Sequence, residues 1–229
     1  MAVAPGACPG ALNVVLLGPP GAGKGTQAER LSRTRKLPKV STGDILREAV
    51  AAHSEVGRSA KVTMEAGNLV SDDLMISIVR QRLEQDDAFC GFVLDGFPRT
   101  VVQAGALDGL INGRGPLVVL DIVVPEDVLV RRLATRRICG QCGANAAPEW
   151  NANCGKCGGA LVTRVDDGVG IVRERLKVYM RQTRPLVAYY TGRASFTPLD
   201  GNQAPDVVTA AMDAALDRAL KAEAPGAAR

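Results

Sequence analysis

A nine-residue stretch, Gly18-Pro-Pro-Gly-Ala-Gly-Lys-Gly-Thr26, limits what this chain can fold into more than any other. An apolar run at 12–17 precedes it and a helix-like segment from 24 to about 36 follows. Strand, glycine-rich turn and helix in that order form the context of a phosphate-binding loop. Glycine lets the backbone bend until successive N–H groups face phosphate oxygens, and the helix N-terminus adds partial positive charge. Gly21, Ala22, Gly23 and Gly25 are the expected cradle. Lys24 is placed to reach the terminal phosphates, and the Thr26 hydroxyl to ligate Mg2+. The residue after Lys24 is Gly25 and the hydroxyl comes one place later, so the loop belongs to a subset of nucleotide-binding proteins.

Short apolar runs recur at 92–94, 117–124 and 194–199, separated by segments of helical pattern. Fully apolar runs suit a buried parallel sheet, and the alternation predicts a doubly wound α/β fold. Helices are expected from Ser41 to about 52, from about 58 to 66 with Gly67 as the stop, from Ser71 to about 85, from Thr100 towards 111, and over 205–222. Thr100 and Gln103 have the spacing of a capping box, and Pro125-Glu-Asp suits a helix start. Two segments break the pattern: 41–70 reads as helical without a strand, and 135–167 is rich in Cys, Gly and Asn. Both are expected to be mobile insertions on a core formed by 1–40, 71–134 and 168–229. Residues 1–11 read as a loose Ala-, Gly- and Pro-rich tail, not a signal peptide.

Four of six cysteines fall as Cys139-x-x-Cys142 and Cys154-x-x-Cys157, with eleven residues between the pairs; Cys8 and Cys90 are scattered. Two such knuckles complete a tetrahedral four-thiolate site, for which Zn2+ is the expected ion and a structural role the expected use. The segment has almost no apolar core, so the metal would supply its folding energy, on the order of 10 kcal/mol in small zinc modules. Disulfides or free thiols are the alternative use of these cysteines.

Phosphoryl transfer requires positioning and positive charge more than acid–base groups. The single histidine, His53, lies on a polar stretch read as helical and solvent-facing. Asp95 at the end of the 92–94 run is placed to orient Mg2+ and its waters, with Arg99 just beyond it, near a transferred phosphate. Arg132 and Arg136 stand four apart on one helix face leading into the cysteine segment. Arg164 leaves that segment and Arg175 follows on the next helix. Arginines flanking a mobile insertion could close over phosphates and exclude water.

These motifs resemble the adenylate kinase family in its long, zinc-bearing form, over nearly all of 12–220. The residues that carry the resemblance are 18–26, Ser-Thr-Gly-Asp-Ile-Leu-Arg at 41–47, Gly-Phe-Val-Leu-Asp-Gly-Phe-Pro-Arg-Thr at 91–100, the two knuckles, Arg-Val-Asp-Asp at 164–167 and Arg-Leu at 175–176. The resemblance implies the reaction ATP + AMP ⇌ 2 ADP with Mg2+. It assigns ATP to Gly21, Ala22, Gly23, Lys24, Gly25, Thr26, Arg132 and Arg136, with Gly201 and Gln203 bordering the adenine and Asn145 and Ala146 where the family packs the base or ribose. It assigns AMP to Thr42, Arg47, Asn68, Leu69, Val70, Gly96, Phe97, Pro98, Arg99 and Gln103. Arg164 and Arg175 would bridge the phosphates between the two nucleotides. Residues 41–70 become an AMP-binding unit and 135–167 a lid. The lid segment between the knuckles is shorter than in zinc-bearing relatives and lacks their aromatic-His pair.

Two rival readings stand beside this one. Another nucleotide or nucleoside kinase would share the loop, but Ser-Thr-Gly-Asp with Arg47 favours AMP, and ribbon-type thymidine kinases carry Lys-Ser/Thr directly. A nucleic-acid-binding ribbon on an ATPase would need a basic ribbon, yet between Cys139 and Cys157 only Lys156 stands against Glu149. Net charge of +4 and 3% aromatic residues argue the same way. No apolar run approaches the ~20 residues of a membrane span. A cytoplasmic monomer is expected.

Overall fold

The computed structural model describes residues 11–147 and 149–223. Most of the expected N-terminal tail, Cys8 included, lies outside the described residues.

Strand β1 (Leu12–Leu17) is buried along its whole length, as expected of a central strand covered on both faces. It leads into α1 (Lys24–Arg35), then β2 (Lys39–Ser41), α2 (Thr42–Ala51), α3 (Glu55–Glu65) and α4 (Asp72–Leu83). After a 3-10 turn come β3 (Gly91–Asp95), α5 (Val101–Leu110), β4 (Leu117–Val123) and α6 (Glu126–Ala134). A small hairpin, β5 (Arg137–Cys139) and β6 (Leu161–Thr163), precedes α7 (Val169–Val178), α8 (Pro185–Tyr190), β7 (Phe196–Asp200) and α9 (Pro205–Glu223).

The main sheet runs β2-β3-β1-β4-β7, all parallel. Val14 pairs with Val93 on one side and Val118 on the other, so β1 is the middle strand. Its side chains feed two cores. Val15 and Leu17 join Phe92, Leu94, Val79, Leu107 and Leu186 beneath α4, α5 and α8. Val14 and Leu16 join Leu31, Val118, Leu120, Met212 and Leu216 beneath α1 and α9. Because parallel strands all end on one side, the loops after β1 and β3 open together at the carboxyl edge of the sheet.

Ser41 opens a helix as expected, but it also ends an edge strand that the sequence does not announce, β2, whose three residues pair with Val93, Leu94 and Asp95. A three-residue strand is too short to show periodicity. Ser41 still caps α2, its hydroxyl accepting from the Asp44 N–H at 3.3 Å. His53 is not helical: it sits in the α2–α3 turn with φ of 51°, and it is exposed. Helix α3 starts at Glu55, three residues earlier than expected, because the Ser54 hydroxyl caps it by accepting from the Gly57 N–H. It stops at Gly67 as expected: the Gly67 N–H reaches the Met64 carbonyl and the Asn68 N–H the Thr63 carbonyl.

Thr100 caps α5 by accepting from the Gln103 N–H at 3.2 Å. The reciprocal half of the expected box is redirected: the Gln103 side chain accepts from the N–H of Arg99, one residue before the cap. After α7 the chain widens into a π-helical turn at Tyr179–Thr183, with the Arg184 N–H reaching back to the Tyr179 carbonyl. Such turns often mark functional sites. Among the described residues no helix is long and apolar enough to cross a membrane.

Candidate functional site

The phosphate loop joins the middle strand to α1. Gly18 has a φ of 135°, and a Cβ there would stand 2.7 Å from the Ile122 carbonyl, so the first position tolerates no side chain. Lys24 folds back over the loop, its ammonium donating to the Gly18 carbonyl at 2.7 Å and the Pro19 carbonyl at 2.9 Å. Burial lowers its pKa to about 8, and Arg99, Arg175 and Arg136 push the same way against the opposing Asp95. A lysine in that position is starved of anionic partners, as a site built for phosphate should be. A Cβ on Gly25 would stand in ordinary contact with the Asp95 carboxylate at 3.4 Å and the Asn145 amide at 3.5 Å, so these two groups border the place a side chain would fill.

Strand β3 ends in Asp95, followed by Gly96, which has φ of 83°. A Cβ on Gly96 would lie 2.8 Å from the Thr42 hydroxyl and 3.0 Å from the Arg99 guanidinium. The glycine therefore lets α2 and Arg99 close on the same turn. The buried Thr42 hydroxyl donates to the Gly96 carbonyl at 2.9 Å, and Arg99 Nε donates to the same carbonyl at 2.8 Å. Burial and the neighbouring Arg175 lower the Arg99 pKa to about 10. Its backbone is held from two sides: the N–H donates to Gln103 Oε1 at 2.7 Å, and the carbonyl accepts from the Thr183 hydroxyl at 2.9 Å.

A second arginine group meets on Asp167, whose side chain is fully buried. Arg136 grips that carboxylate with two hydrogen bonds of 2.7 and 2.5 Å, and Arg175 adds one of 3.1 Å while also pairing with Asp166 at 3.0 Å. Arg164 comes near Arg47 and Arg136, and burial lowers its pKa to about 10. Its Nε is buried with no partner among the described residues, an orphan donor in a cationic pocket.

Between these elements lies a cleft open to solvent on one side. Lys24, Arg47, Arg99 and Arg175 bring charge to it; Leu46, Met64 and Met75 give it an apolar end. A second, shallower depression lies at the far side of β4, lined by Val124, Pro125, Leu199 and Asn202.

The hairpin β5–β6 brings the four cysteines together, with all four sulfurs within 4.8 Å of one another. Cys139 and Cys157 are 3.4 Å apart and Cys142 and Cys154 3.6 Å. Four sulfurs at ~2.3 Å from one tetrahedral ion stand about 3.8 Å apart, so the donor set fits zinc. Backbone N–H groups of Cys142 and Gln141 point at the Cys139 sulfur, and they pull its pKa down to about 6, suiting a thiolate ligand. Trp150 lies against the second knuckle, where a Cβ on Gly155 would stand 2.5 Å from its Nε1. From that knuckle Lys156 reaches Glu29 on α1 at 2.6 Å.

Residues 16–195 match the family model for adenylate kinase. The chain is 45% identical to an adenylate kinase of Archaeoglobus fulgidus over 90% of its length and 99% of that protein's. It is 47% identical to one of Moorella thermoacetica over the same shares, and 45% identical to one of Kosmotoga olearia over 86% and 95%. The chain belongs to the adenylate kinase family. Its four-cysteine cluster places it with the zinc-bearing lid form.

In this adenylate kinase the sequence-derived residues divide by position. Lys24, Thr42, Arg47, Asn68, Leu69, Val70, Gly96, Pro98, Arg99, Gln103 and Arg175 all line the main cleft. Phe97 does not line the cleft: its side chain is fully buried in the core. Ala22 likewise packs inward, against the cluster holding Ile122 and Leu133. Arg132 stands apart from the main cleft, donating to the Gly201 carbonyl at 3.0 Å beside the second depression, and the Gln203 amide turns to Asp200 at 2.7 Å. Thr26 and Asn145 are exposed, and Ala146 is held by its N–H to the Arg137 carbonyl. Sequence reasoning did not find Tyr179 or Thr183, which also line the cleft, and it held Asp166 only as part of the 164–167 motif, without a role in the site. Tyr179 and Thr183 sit on the π-helical turn, which has no sequence signature to read.

Proposed function

We propose that the chain catalyses reversible phosphoryl transfer from Mg–ATP to AMP, giving two ADP. The observation that carries this reading is the convergence of Lys24, Arg47, Arg99 and Arg175, drawn from the phosphate loop, α2, the β3 turn and α7, on one cleft, with Arg136 and Arg164 near them at the flanks of the hairpin. Asp44, Asp166 and Asp167 ion-pair with Arg47, Arg136 and Arg175, while burial lowers the pKa of Lys24, Arg99 and Arg164, so polyphosphate entering the cleft would stabilise their charged forms.

In this reading residues 41–70 bind AMP. Thr42 and the turn from Gly96 to Arg99 hold the acceptor, Gln103 reads its base against Leu69 and Val70, and Arg47 grips its phosphate after release from Asp44. Gly21 to Thr26 wrap the donor phosphates, and Lys24 leaves the Gly18 and Pro19 carbonyls for them. Arg132, Gly201 and Gln203 border the donor base at the depression by β4, with Asn145 and Ala146 above it. Arg99, Arg164 and Arg175 neutralise the three oxygens of the phosphoryl group in transfer, and Arg136 swings from Asp167 towards the donor. Mg2+ bound with ATP supplies further charge neutralisation; Asp95 and Thr26 are the oxygen donors fitted to hold it.

The segment 135–167 acts as a lid on a core of 1–40, 71–134 and 168–229. The zinc site keeps the lid rigid as it moves, and closure removes water that would otherwise attack the γ-phosphate. ATP, AMP and ADP are the partners, and the protein works as a cytoplasmic monomer. The test is ADP formation from ATP, Mg2+ and a panel of nucleoside monophosphates. AMP should be strongly preferred; equal turnover of UMP, CMP or GMP would overturn the reading.

A further inference from the structure

Gln103 is 1% exposed and its amide faces the cleft, yet both ends of that amide already have a protein partner. Oε1 accepts from the Arg99 N–H at 2.7 Å, and Nε2 donates to Asp72 Oδ1 at 2.8 Å. The same Asp72 oxygen accepts from the Thr100 hydroxyl at 3.0 Å, and Thr100 in turn accepts from the Gln103 backbone N–H. The two amide partners have opposite and fixed character: a backbone N–H only donates, and a carboxylate only accepts. Turning the amide over would put NH2 against the Arg99 N–H and the carbonyl against the carboxylate. One orientation survives, leaving one N–H and one oxygen lone pair for a ligand.

That polarity matters for a purine. The six-membered edge of adenine offers a donor at N6 and an acceptor at N1. A 6-oxopurine offers an acceptor at O6 and a donor at N1, the reverse order. An amide free to turn serves either edge, and a locked amide serves one. We infer that Asp72 is a specificity-determining positioning residue. It locks the Gln103 amide so that the acceptor pocket takes a 6-aminopurine monophosphate and turns away a 6-oxopurine one. The inference rests on the reading that this cleft holds AMP.

Asp72 is the first residue of α4, outside the main cleft, and it acts only through Gln103 and Thr100. Removing its carboxylate leaves Arg99 alone to orient the amide. The experiment compares kcat/KM for AMP and IMP in the wild type, Asp72→Ala and Asp72→Asn. Asp72→Ala should lower the AMP-to-IMP ratio about tenfold, equivalent to ~1.4 kcal/mol, with the KM for ATP unchanged. Asp72→Asn keeps an acceptor oxygen in place and should retain most of the ratio. Asp72→Ser, whose hydroxyl is too short to reach, replaces the alanine variant if that one does not fold. In the ligand-free protein, 15N spectra should show one proton of the Gln103 side-chain amide shifted by its hydrogen bond to Asp72 and slow to exchange with solvent, and in Asp72→Ala that shift should be lost and the exchange should quicken.

A ratio unchanged in both Asp72→Ala and Asp72→Ser, or AMP and IMP activities falling in parallel, would overturn the inference. So would a Gln103 amide signal that does not respond to the substitution. A wild type that turns over IMP as well as AMP would overturn it too, whereas a wild type that does not phosphorylate AMP would refute the AMP reading itself, and the amide spectra would still decide whether Asp72 locks Gln103.

Discussion

Gly57 lies inside α3, where glycine costs roughly 0.5–1 kcal/mol relative to alanine. On propensity alone, Gly57→Ala should stabilise the protein. The tertiary contact reverses the sign. A Cβ at this position would stand 2.0 Å from the Ala49 carbonyl oxygen and 2.3 Å from its carbon, both backbone atoms of α2. Ordinary contact needs 3.4 Å, so α2 and α3 would have to separate by about 1.4 Å. Overpacking of this kind costs typically 1–3 kcal/mol, and a backbone obstacle belongs at the upper end. Subtracting the propensity gain leaves a net loss of about 2 kcal/mol, or a fall in Tm of about 4–8 °C for a chain of this size. The same shift would move Thr42 and Arg47 on α2 relative to Asn68 and Val70 beyond α3, so the KM for AMP should rise while that for ATP holds. Gly105→Ala is the matched control: this exposed glycine sits inside α5 with nothing within 4 Å of its would-be Cβ, and the change should raise stability by roughly 0.5–1 kcal/mol. Thermal unfolding of both variants with AMP and ATP titrations decides the matter. A Gly57→Ala variant at least as stable as wild type, with an unchanged KM for AMP, would refute the packing account.

The remaining predictions concern charge and metal. Lys24 has a folded pKa of about 8, below its usual 10.5, so raising the pH through 8 removes the proton from the empty site first. Affinity for a non-hydrolysable ATP analogue should therefore weaken about tenfold per pH unit above 8, with proton uptake on binding. Calorimetry in two buffers measures both, and a flat profile between pH 7 and 9.5 would contradict it. For the same reason Lys24 makes the fold itself less stable below pH 8 and relieves that cost as pH rises towards 10.5. Stripping the metal with a chelator, or Cys142→Ser, should unfold the β5–β6 hairpin and shift Trp150 fluorescence to the red while the parallel core stays folded; an unmoved Trp150 spectrum would deny zinc its structural part. The Glu29–Lys156 pair joins the second cysteine knuckle to α1 between two half-exposed side chains. Its coupling in a double-mutant cycle on ATP affinity should be no more than ~1 kcal/mol and should vanish at high salt. A coupling unaffected by salt would mean that these two residues act through something other than their charges.

Much of the architecture was legible because its signals are local. A run of apolar residues such as Leu12–Leu17 reports burial on both faces, Ser41 and Thr100 carry their own capping chemistry, and two Cys-x-x-Cys pairs announce a four-sulfur cluster without knowledge of the fold. The phosphate loop is legible for the same reason, since Gly18, Lys24 and Thr26 act within one turn of chain. The edge strand β2 escaped because its three residues are defined by hydrogen bonds to β3, not by any pattern of their own. The π-helical turn escaped likewise, and Thr183, which holds the Arg99 carbonyl, escaped with it.

The sequence by itself determined the class of fold, the phosphate loop, the thiolate cluster and the stock of arginines, because each follows from residues close together in the chain. Only the tertiary structure decided which charges meet. It set Arg136 and Arg175 on Asp167, Arg164 with no partner for its Nε among the described residues, and Asp72 against Gln103 across 31 positions. It also brought Asp95 and Asn145 to the border of the place a side chain on Gly25 would fill. Such pairings depend on the registry of strands and the packing of helices, which bring distant residues within 3 Å and which no local pattern encodes.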